Sequence, residues 1–270
     1  MVLVNGVQTH LMQVSDRGLM YGDGVFRTLR VQAGDPLCWQ RHYRKLQADC
    51  AVLKIVCPAE NLMRGELDQL IRAAENCIVK MIVTRGQSDR GYALPAVVHP
   101  NRVLVSTALT SYPDHFFSYG VKLQLCQTKL ALQPLLAGIK HLNRLENVLA
   151  RMEWSDPAIA EGLLCDMDGN VIEGTMSNLF MIKGHTLYTP ELNRCGVAGV
   201  QRDRIIALAP ELGLQVEAGN FDLAFLLEAE EVLLSNSLIG VWQVRQLADK
   251  TWEEGRMTHT FRLKLDDKNN

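Results

Sequence analysis

The most informative stretch of the sequence is residues 135–151, LLAGIKHLNRLENVLAR. Its lysine, Lys140, comes two residues after a glycine and has apolar residues on both sides. Beyond it, apolar residues recur at spacings of three, three and one, at Leu142, Leu145, Val148 and Leu149. That spacing is typical of an amphipathic helix. We therefore expect Lys140 to stand at the start of a helix, close to buried surface.

Two interpretations of Lys140 are open at this point. In the ordinary one, the aliphatic stem covers apolar surface while the amine reaches water. In the other, the amine is desolvated and acts as a nucleophile that forms a Schiff base with a carbonyl group. The stretch by itself leaves both open.

Composition narrows the class of protein. The chain has 270 residues, 47% hydrophobic and 21% charged, and a formal net charge of −2. These values predict a globular protein of one large or two ordinary domains, and they give no support to nucleic-acid or membrane binding. The first ten residues lack the pattern of a signal peptide, and no apolar run reaches the roughly 20 residues of a spanning helix. Seven scattered cysteines without a C-x-x-C pair indicate a reduced, cytoplasmic protein without a zinc site.

Hydrophobic periodicity predicts a mixed α/β (α+β) chain. We expect strands at 25–31, 78–84, 102–108, 121–128, 162–166, 171–172, 178–182, 186–189 and, as the final core strand, 231–235. We expect helices at 41–53, 62–76, from 140 onward and at 201–212, and a frayed polar tail at 266–270. The sequence Tyr-Pro-Asp at 112–114 interrupts the pattern and suggests a domain boundary near 111–118.

Several short stretches contain residues suited to chemistry. Glu173 follows an apolar pair and precedes a glycine, so its carboxylate needs a partner, either a cationic pyridinium or an ordinary cap or salt bridge. Residues 196–205, GVAGVQRDRI, are either an anion site at a helix start or a tight turn. Residues 233–241, LLSNSLIGV, have polar groups for a phosphate or carboxylate, or form a plain turn.

Two further stretches combine glycine, arginine and tyrosine beside a strand, YGDGVFRTLR at 21–30 and TRGQSDRGY at 84–92. Arginines near a pocket suit carboxylate substrates, whereas exposed arginines are ordinary surface residues. No G-x-S-x-G motif is present, which gives a serine hydrolase little support.

Taken in order, these motifs resemble the class IV aminotransferase-like (fold-type IV) family of pyridoxal 5′-phosphate (PLP) enzymes. The resemblance covers about residues 2–244. It rests on D-R-G at 16–18, Y-G-D-G-V-F at 21–26, R-G-x-x-x-R-G-Y at 85–92, A-G-I-K-H-L-N-R-L-E at 137–146, E-G-x-x-S-N-L-F at 173–180 and G-V-x-G-V-x-R at 196–202. The R-G-Y and K-H-L-N-R-L-E elements are most similar to the family's 4-amino-4-deoxychorismate lyase branch.

The resemblance implies a two-domain fold like that of D-amino-acid aminotransferase. Its smaller N-terminal domain would span 1–112, its linker 113–119 and its larger domain 120–270, with PLP in the cleft between the domains. It also implies a homodimer and a small-molecule substrate, 4-amino-4-deoxychorismate, which is converted to 4-aminobenzoate and pyruvate for folate synthesis.

The resemblance also assigns roles by position. Lys140 matches the lysine that binds PLP covalently, and Glu173 matches the carboxylate at the pyridine nitrogen. Thr28 matches a threonine proposed to assist proton transfer. The phosphate contacts would be the backbone amides of Val200 and Gln201 and the hydroxyl of Ser237. The residues expected on the substrate side are Tyr21, Arg90, Tyr92 and Asn236.

Two positions depart from the family pattern. Where the family helix reads H-x-x-R-L, this chain has Lys45 in the place of the phosphate-binding arginine, with Arg44 beside it. A lysine binds phosphate as a point charge without a fork. Leu145 stands where branched-chain transaminases have a tyrosine, which argues against that activity. The alternatives that remain are a D-amino-acid or other class IV transaminase and a non-catalytic binding protein of the same fold.

Overall fold

The computed structural model describes residues 1–94 and 96–266, so most of the predicted tail at 266–270 lies outside the described residues. The chain divides into two compact units. Unit 1 is Met1–Ser111 together with Ile139–Asn143, and unit 2 is Tyr112–Gly138 together with Arg144–Asn270. A short segment around Lys140 therefore belongs to unit 1, although its neighbours in sequence on both sides belong to unit 2.

Unit 1 is built on a six-stranded antiparallel sheet with the order β2-β1-β6-β5-β3-β4. Its strands are β1 (Val2–Val4), β2 (Val7–Gln8), β3 (Gly24–Gln32), β4 (Asp35–Pro36), β5 (Cys77–Thr84) and β6 (Asn101–Thr107). Its helices are α1 (Arg17–Tyr21), α2 (Trp39–Val52) and α3 (Glu60–Ala73). The predicted strands at 25–31, 78–84 and 102–108 and both predicted helices are confirmed with small shifts at their ends.

Strand β3 shows why one face of this sheet is covered. Val25, Leu29 and Val31 alternate along it and are fully buried, as the two-residue period of a strand requires. They share one core with apolar residues of α2 and α3, namely Leu46, Met63, Leu67 and Leu70. Each such side chain contributes about 1.5–3 kcal/mol by its burial. The residues between them, Phe26 and Thr28, point to the other face.

The segment around Lys140 is extended and lies along the edge of β3. The amide of Phe26 donates to the Lys140 carbonyl over 2.9 Å, and the amide of Leu142 donates to the Gly24 carbonyl over 3.0 Å. The prediction that Lys140 starts a helix is wrong, because α5 begins only at Leu145. The edge of a distant strand provides hydrogen-bond partners for this backbone, and local periodicity cannot reveal them.

Unit 2 contains a nine-stranded mixed sheet with the order β12-β11-β10-β13-β14-β7-β8-β9, and β15 pairs with β14. Its strands are β7 (Val121–Leu130), β8 (Ile159–Asp166), β9 (Val171–Gly174), β10 (Asn178–Lys183), β11 (Thr186–Pro190), β12 (Gln215–Gly219), β13 (Glu231–Asn236), β14 (Gly240–Leu247) and β15 (Lys250–Thr251). Strand β9 also pairs with β10, through Glu173 and Asn178. The sheet is therefore closed on itself at the position of Glu173.

The helices of unit 2 are α4 (Asp114–Ser118), α5 (Leu145–Arg151), α6 (Val200–Leu208), α7 (Leu223–Leu227) and α8 (Arg256–Asp266), with a 3₁₀ turn at Pro210–Leu212. Helix α4 lies within the predicted linker, and its Phe116 ring packs edge-on against Trp242 at 5.3 Å. Strand 231–235 is not the final core strand, because β14 follows it and lies between β13 and β7. Among the described residues, no helix is both long and apolar enough to cross a membrane.

Candidate active site

In unit 1, a buried carboxylate of α2 organises the candidate site residues. Asp49 forms a buried ion pair with Arg27 of β3. It also accepts a hydrogen bond from the backbone amide of Lys140 over 3.3 Å. The main chain of Lys140 is therefore fixed by Asp49 as well as by the edge of β3.

Cations surround this carboxylate and a neighbouring imidazole. Burial raises the pKa of Asp49, and the charge of Arg27 opposes that rise. Burial lowers the pKa of His42 to about 3, with further contributions from the charges of Arg27, Lys140 and Lys45. The imidazole of His42 is therefore neutral at pH 7. The charge of half-buried Lys45 acts on both His42 and Asp49, whereas Arg44 is exposed on α2.

The low pKa of His42 predicts a pH dependence of stability. In the unfolded chain His42 takes up a proton below about pH 6.5, but in the folded protein it does so only near pH 3. We expect the free energy of unfolding to decrease as the pH is lowered from about 6.5 towards 3, by up to about 1.4 kcal/mol per pH unit from this group. Urea unfolding of the wild type and of His42→Gln measures it. Identical slopes in both proteins between pH 6.5 and 4 would contradict the prediction.

Lys140 and Thr28 lie on the same face of β3, opposite the core formed with α2 and α3. The amine Nζ of Lys140 lies 4.7 Å from the centre of the Phe26 ring. Because side chains two residues apart share a face of a strand, Thr28 lies beside Phe26 on that face. A second amine, that of Lys80, lies 4.6 Å from the same ring, and Lys80 is directly opposite Thr28 in the pairing of β3 with β5.

The predicted substrate-side residues of unit 1 also form one group. The Tyr21 hydroxyl accepts a hydrogen bond from the Gly91 amide over 3.0 Å. The rings of Tyr21 and Tyr92 lie 5.3 Å apart. Arg90 is exposed on the same short connection.

In unit 2, Glu173 is held at the end of β9 and is 3% exposed. Its Oε2 accepts a hydrogen bond from the Val197 amide over 2.8 Å. Gly196 has a φ of 82°, and a Cβ there would come within 2.9 Å of the Ile172 side chain and 3.4 Å of Glu173 Oε2. A glycine is therefore required where this loop approaches the carboxylate.

The loop from Val197 to the start of α6 is positioned by Asn178. Its Nδ2 donates to the Val197 carbonyl over 2.6 Å, and its Oδ1 accepts from the Gly199 amide over 3.1 Å. Helix α6 begins at Val200 with Gly199 as its N-cap, and no side chain caps it. The first-turn amides, those of Val200 and Gln201 among them, are therefore available to an anion.

In the turn after β13, the side chain of Asn236 holds the backbone of the turn. The Asn236 side chain donates to the Met176 carbonyl over 2.9 Å and accepts from the Leu238 and Ile239 amides. Its amide group is engaged in holding the turn, which is the ordinary alternative to substrate binding. Ser237 is half-buried. The hydroxyl of Ser235 is buried without a hydrogen-bond partner among the described residues.

The chain belongs to the aminotransferase class IV family, whose model matches residues 24–247. The aminodeoxychorismate lyase of Vibrio harveyi is 38% identical over 248 residues, which cover 89% of this chain and 89% of that protein. The crystal structure of 4-amino-4-deoxychorismate lyase from Pseudomonas aeruginosa is 43% identical, with a TM-score of 0.95, and the match covers 99% of this chain and 98% of that one. The D-alanine aminotransferase of Listeria innocua is 30% identical over 87% of this chain and 82% of that protein.

Three residues at the site were missed by the sequence analysis, although the sequence contains signals for two of them. Arg27 alternates with Phe26 and Thr28, so it falls on the buried face of β3 and requires a carboxylate. Asp49 lies four residues after Lys45 on the same helix and meets that requirement. Asn178 directly faces Glu173 across β9 and β10, which only the paired strands reveal.

Proposed function

We propose that this protein is a PLP-dependent lyase that converts 4-amino-4-deoxychorismate to 4-aminobenzoate and pyruvate. The observation that carries the proposal is the amine of Lys140 over the Phe26 ring, on the face of β3 that also presents the hydroxyl of Thr28. The names of the Vibrio and Pseudomonas relatives support this substrate over others of the family. The product feeds folate synthesis.

The residues of the site fit the cofactor. Glu173 is a buried carboxylate suited to a protonated pyridine nitrogen, and the uncapped start of α6 suits a phosphate. We assign the phosphate to the amides of Val200 and Gln201 and the hydroxyl of Ser237, with charge from Lys45. When bound, PLP supplies an electron-withdrawing ring that stabilises negative charge at the carbon bearing the substrate amine.

Side chains of the protein then carry out the proton transfers. Lys140, with its amine neutral, removes the proton from the amine-bearing ring carbon. The bond between the ring and the enolpyruvyl oxygen breaks, and a proton is delivered to the methylene carbon by Thr28 through water or by Lys140, which carries the proton taken from the ring. Pyruvate leaves, and the ring becomes aromatic, which makes the step irreversible. Tyr21, Arg90 and Tyr92 bind the carboxylates of the substrate.

A coupled assay tests the proposed function. Purified protein loaded with PLP is given 4-amino-4-deoxychorismate, and 4-aminobenzoate and pyruvate are followed together. Equal amounts of both products at equal rates are expected. A PLP-loaded protein that releases neither product would overturn the lyase assignment.

A transaminase is the second candidate, because the D-alanine aminotransferase of Listeria innocua is also similar to this chain. A transaminase returns the amine to a keto acid, whereas the lyase does not. Transfer of an amino group from D-alanine to 2-oxoglutarate at a rate above lyase turnover would favour this alternative.

We also propose a homodimer that works in the cytoplasm, the latter because none of the seven cysteines forms a disulfide. One side of α5 and the residue after it are exposed and apolar, with exposed fractions of 75% at Leu145, 51% at Val148, 55% at Leu149 and 74% at Met152. A stripe of this kind is more typical of an interface than of a solvated surface.

The proposed dimer predicts the effect of charge on this stripe. The double substitution Leu145→Glu and Val148→Glu is expected to convert the dimer to a monomer, because two carboxylates cannot be buried against an apolar copy. Sedimentation velocity measures the mass of each protein. The exposed apolar residues Val56 and Leu62, 72% and 43% exposed, provide the control, and the double substitution Val56→Glu and Leu62→Glu should leave the mass unchanged. A double variant of α5 that sediments as a dimer would exclude this surface.

A further inference from the structure

Arg17, which follows Asp16 in the D-R-G motif, is a buried arginine with an unusual set of partners. It is 3% exposed and lies at the start of α1. Its guanidinium donates to Ser88 Oγ over 2.9 Å and to the backbone carbonyls of Gly91, Tyr92 and Ala93 over 3.1, 3.2 and 3.3 Å. All four acceptors belong to one short stretch, residues 88–93, which we call the R-G-Y segment.

The guanidinium is held in place from behind. Its Nε pairs with Asp23 Oδ2 over 2.8 Å. Arg85 binds the same carboxylate with two hydrogen bonds, from Nε to Asp23 Oδ2 over 2.7 Å and from Nη2 to Asp23 Oδ1 over 2.9 Å. These arginines lower the pKa of Asp23, against the effect of its burial. Asp23 thus stays ionised and orients Arg17 so that its two terminal nitrogens point to the R-G-Y segment.

The R-G-Y segment has little burial of its own to order it. Tyr92 is 83% exposed, and Arg90 is exposed. Gly91 has a φ of 108°, a conformation in which other residues are strained. Charge-assisted hydrogen bonds to backbone carbonyls are strong interactions, and an arginine fork sets direction as well as energy. Arg17 is thus a principal support of this backbone.

We propose that Arg17 is a positioning residue that holds the R-G-Y segment, and through it Arg90 and Tyr92, in the conformation that receives the carboxylates of the substrate. Arg17 itself touches no substrate in this scheme. The identity of the substrate rests on the proposed function, but the support of the segment by Arg17 does not.

Three variants test the proposal. Arg17→Ala removes all contacts to the segment. Arg17→Lys keeps a positive charge for Asp23 but cannot fork to four acceptors. Arg102→Ala is the matched control, because Arg102 also forms an ion pair within unit 1, with Glu66 at 2.6 Å, and does not contact the segment. Hydrogen exchange of the amides at 88–93 is measured in each PLP-loaded protein, together with KM and kcat.

Both Arg17 variants are expected to speed exchange in the segment by about tenfold or more, while exchange in β5 stays unchanged. KM should rise by about tenfold, with kcat within about threefold of the wild type and PLP content retained. Arg102→Ala should change neither exchange in the segment nor KM.

Three results would overturn the proposal. The first is unchanged exchange at 88–93 in Arg17→Ala. The second is full recovery of exchange and KM in Arg17→Lys, which would reduce the role of Arg17 to its charge beside Asp23. The third is a fall in kcat with KM unchanged.

If Arg17→Ala does not fold, Arg17→Lys alone tests the proposal. If exchange rises as expected while the wild type makes no 4-aminobenzoate, the support by Arg17 stands and the proposed function fails.

Discussion

Replacement of Lys140 by alanine is expected to reduce the formation of 4-aminobenzoate by about 10³-fold or more, because the substitution removes the amine that both binds the cofactor and takes the substrate proton. The fold should persist, since the bonds that hold this segment to β3 and Asp49 are made by its backbone. The measurement is single-turnover release of 4-aminobenzoate and pyruvate.

A spectroscopic control tests the covalent attachment of PLP to Lys140 separately from catalysis. The wild type loaded with PLP should have a visible absorbance band that borohydride bleaches, leaving PLP covalently attached to the chain. Lys140→Ala should lose this covalent label. Lys80→Ala removes the other amine over the Phe26 ring and should keep it. Full turnover by Lys140→Ala would contradict the assigned role of the lysine.

The second large effect is expected at Glu173. Glu173→Gln keeps an oxygen that accepts from the Val197 amide, now 2.8 Å away, but it removes the charge that holds the pyridine nitrogen protonated. We expect kcat to fall by about 10²-fold or more, a larger change than that in PLP affinity. Steady-state assays and PLP titration measure the two quantities.

Glu173→Ala provides the contrast with a structural role. It loses both the charge and the acceptor, so the Val197 amide is left buried without a partner, at a cost of about 1–3 kcal/mol. If Glu173→Gln kept normal kcat while Glu173→Ala lost stability and PLP together, the carboxylate would only support the loop.

The local part of the structure followed from the sequence. Alternation of apolar residues correctly predicted β3, and the β-branched residues at 78–84 correctly predicted β5. The motifs at 21–26 and 85–92 singled out Tyr21 and Tyr92, whose rings lie 5.3 Å apart. Long-range pairing was not predictable in the same way. The helix expected from Lys140 failed because the backbone at 139–143 takes its hydrogen bonds from β3, more than a hundred residues earlier in the chain.

The apolar stripe after Lys140 shows a second limit. Periodicity identified a helix in this stretch but not its start, since α5 is Leu145–Arg151. Leu145 and Val148 are exposed in the single chain, so the same pattern arises for a core and for a proposed interface. Strand β14 was missed because Gln243 and Arg245 interrupt its apolar pattern. Their placement depends on tertiary partners, such as the Gly255 amide that donates to Gln243.

The split composition of unit 1 has a consequence for biosynthesis. The edge of β3 at Gly24 and Phe26 is completed by residues 139–143, so the ribosome must add residues 112–138 before that edge can be closed. During this interval the nascent unit exposes unpaired strand backbone, which can pair with the strand edge of another chain and cause aggregation. A shortened chain that stops at Ser111 would retain this open edge permanently. Premature termination there should therefore yield a fragment prone to self-association, whereas termination after Asn143 should not leave that edge open.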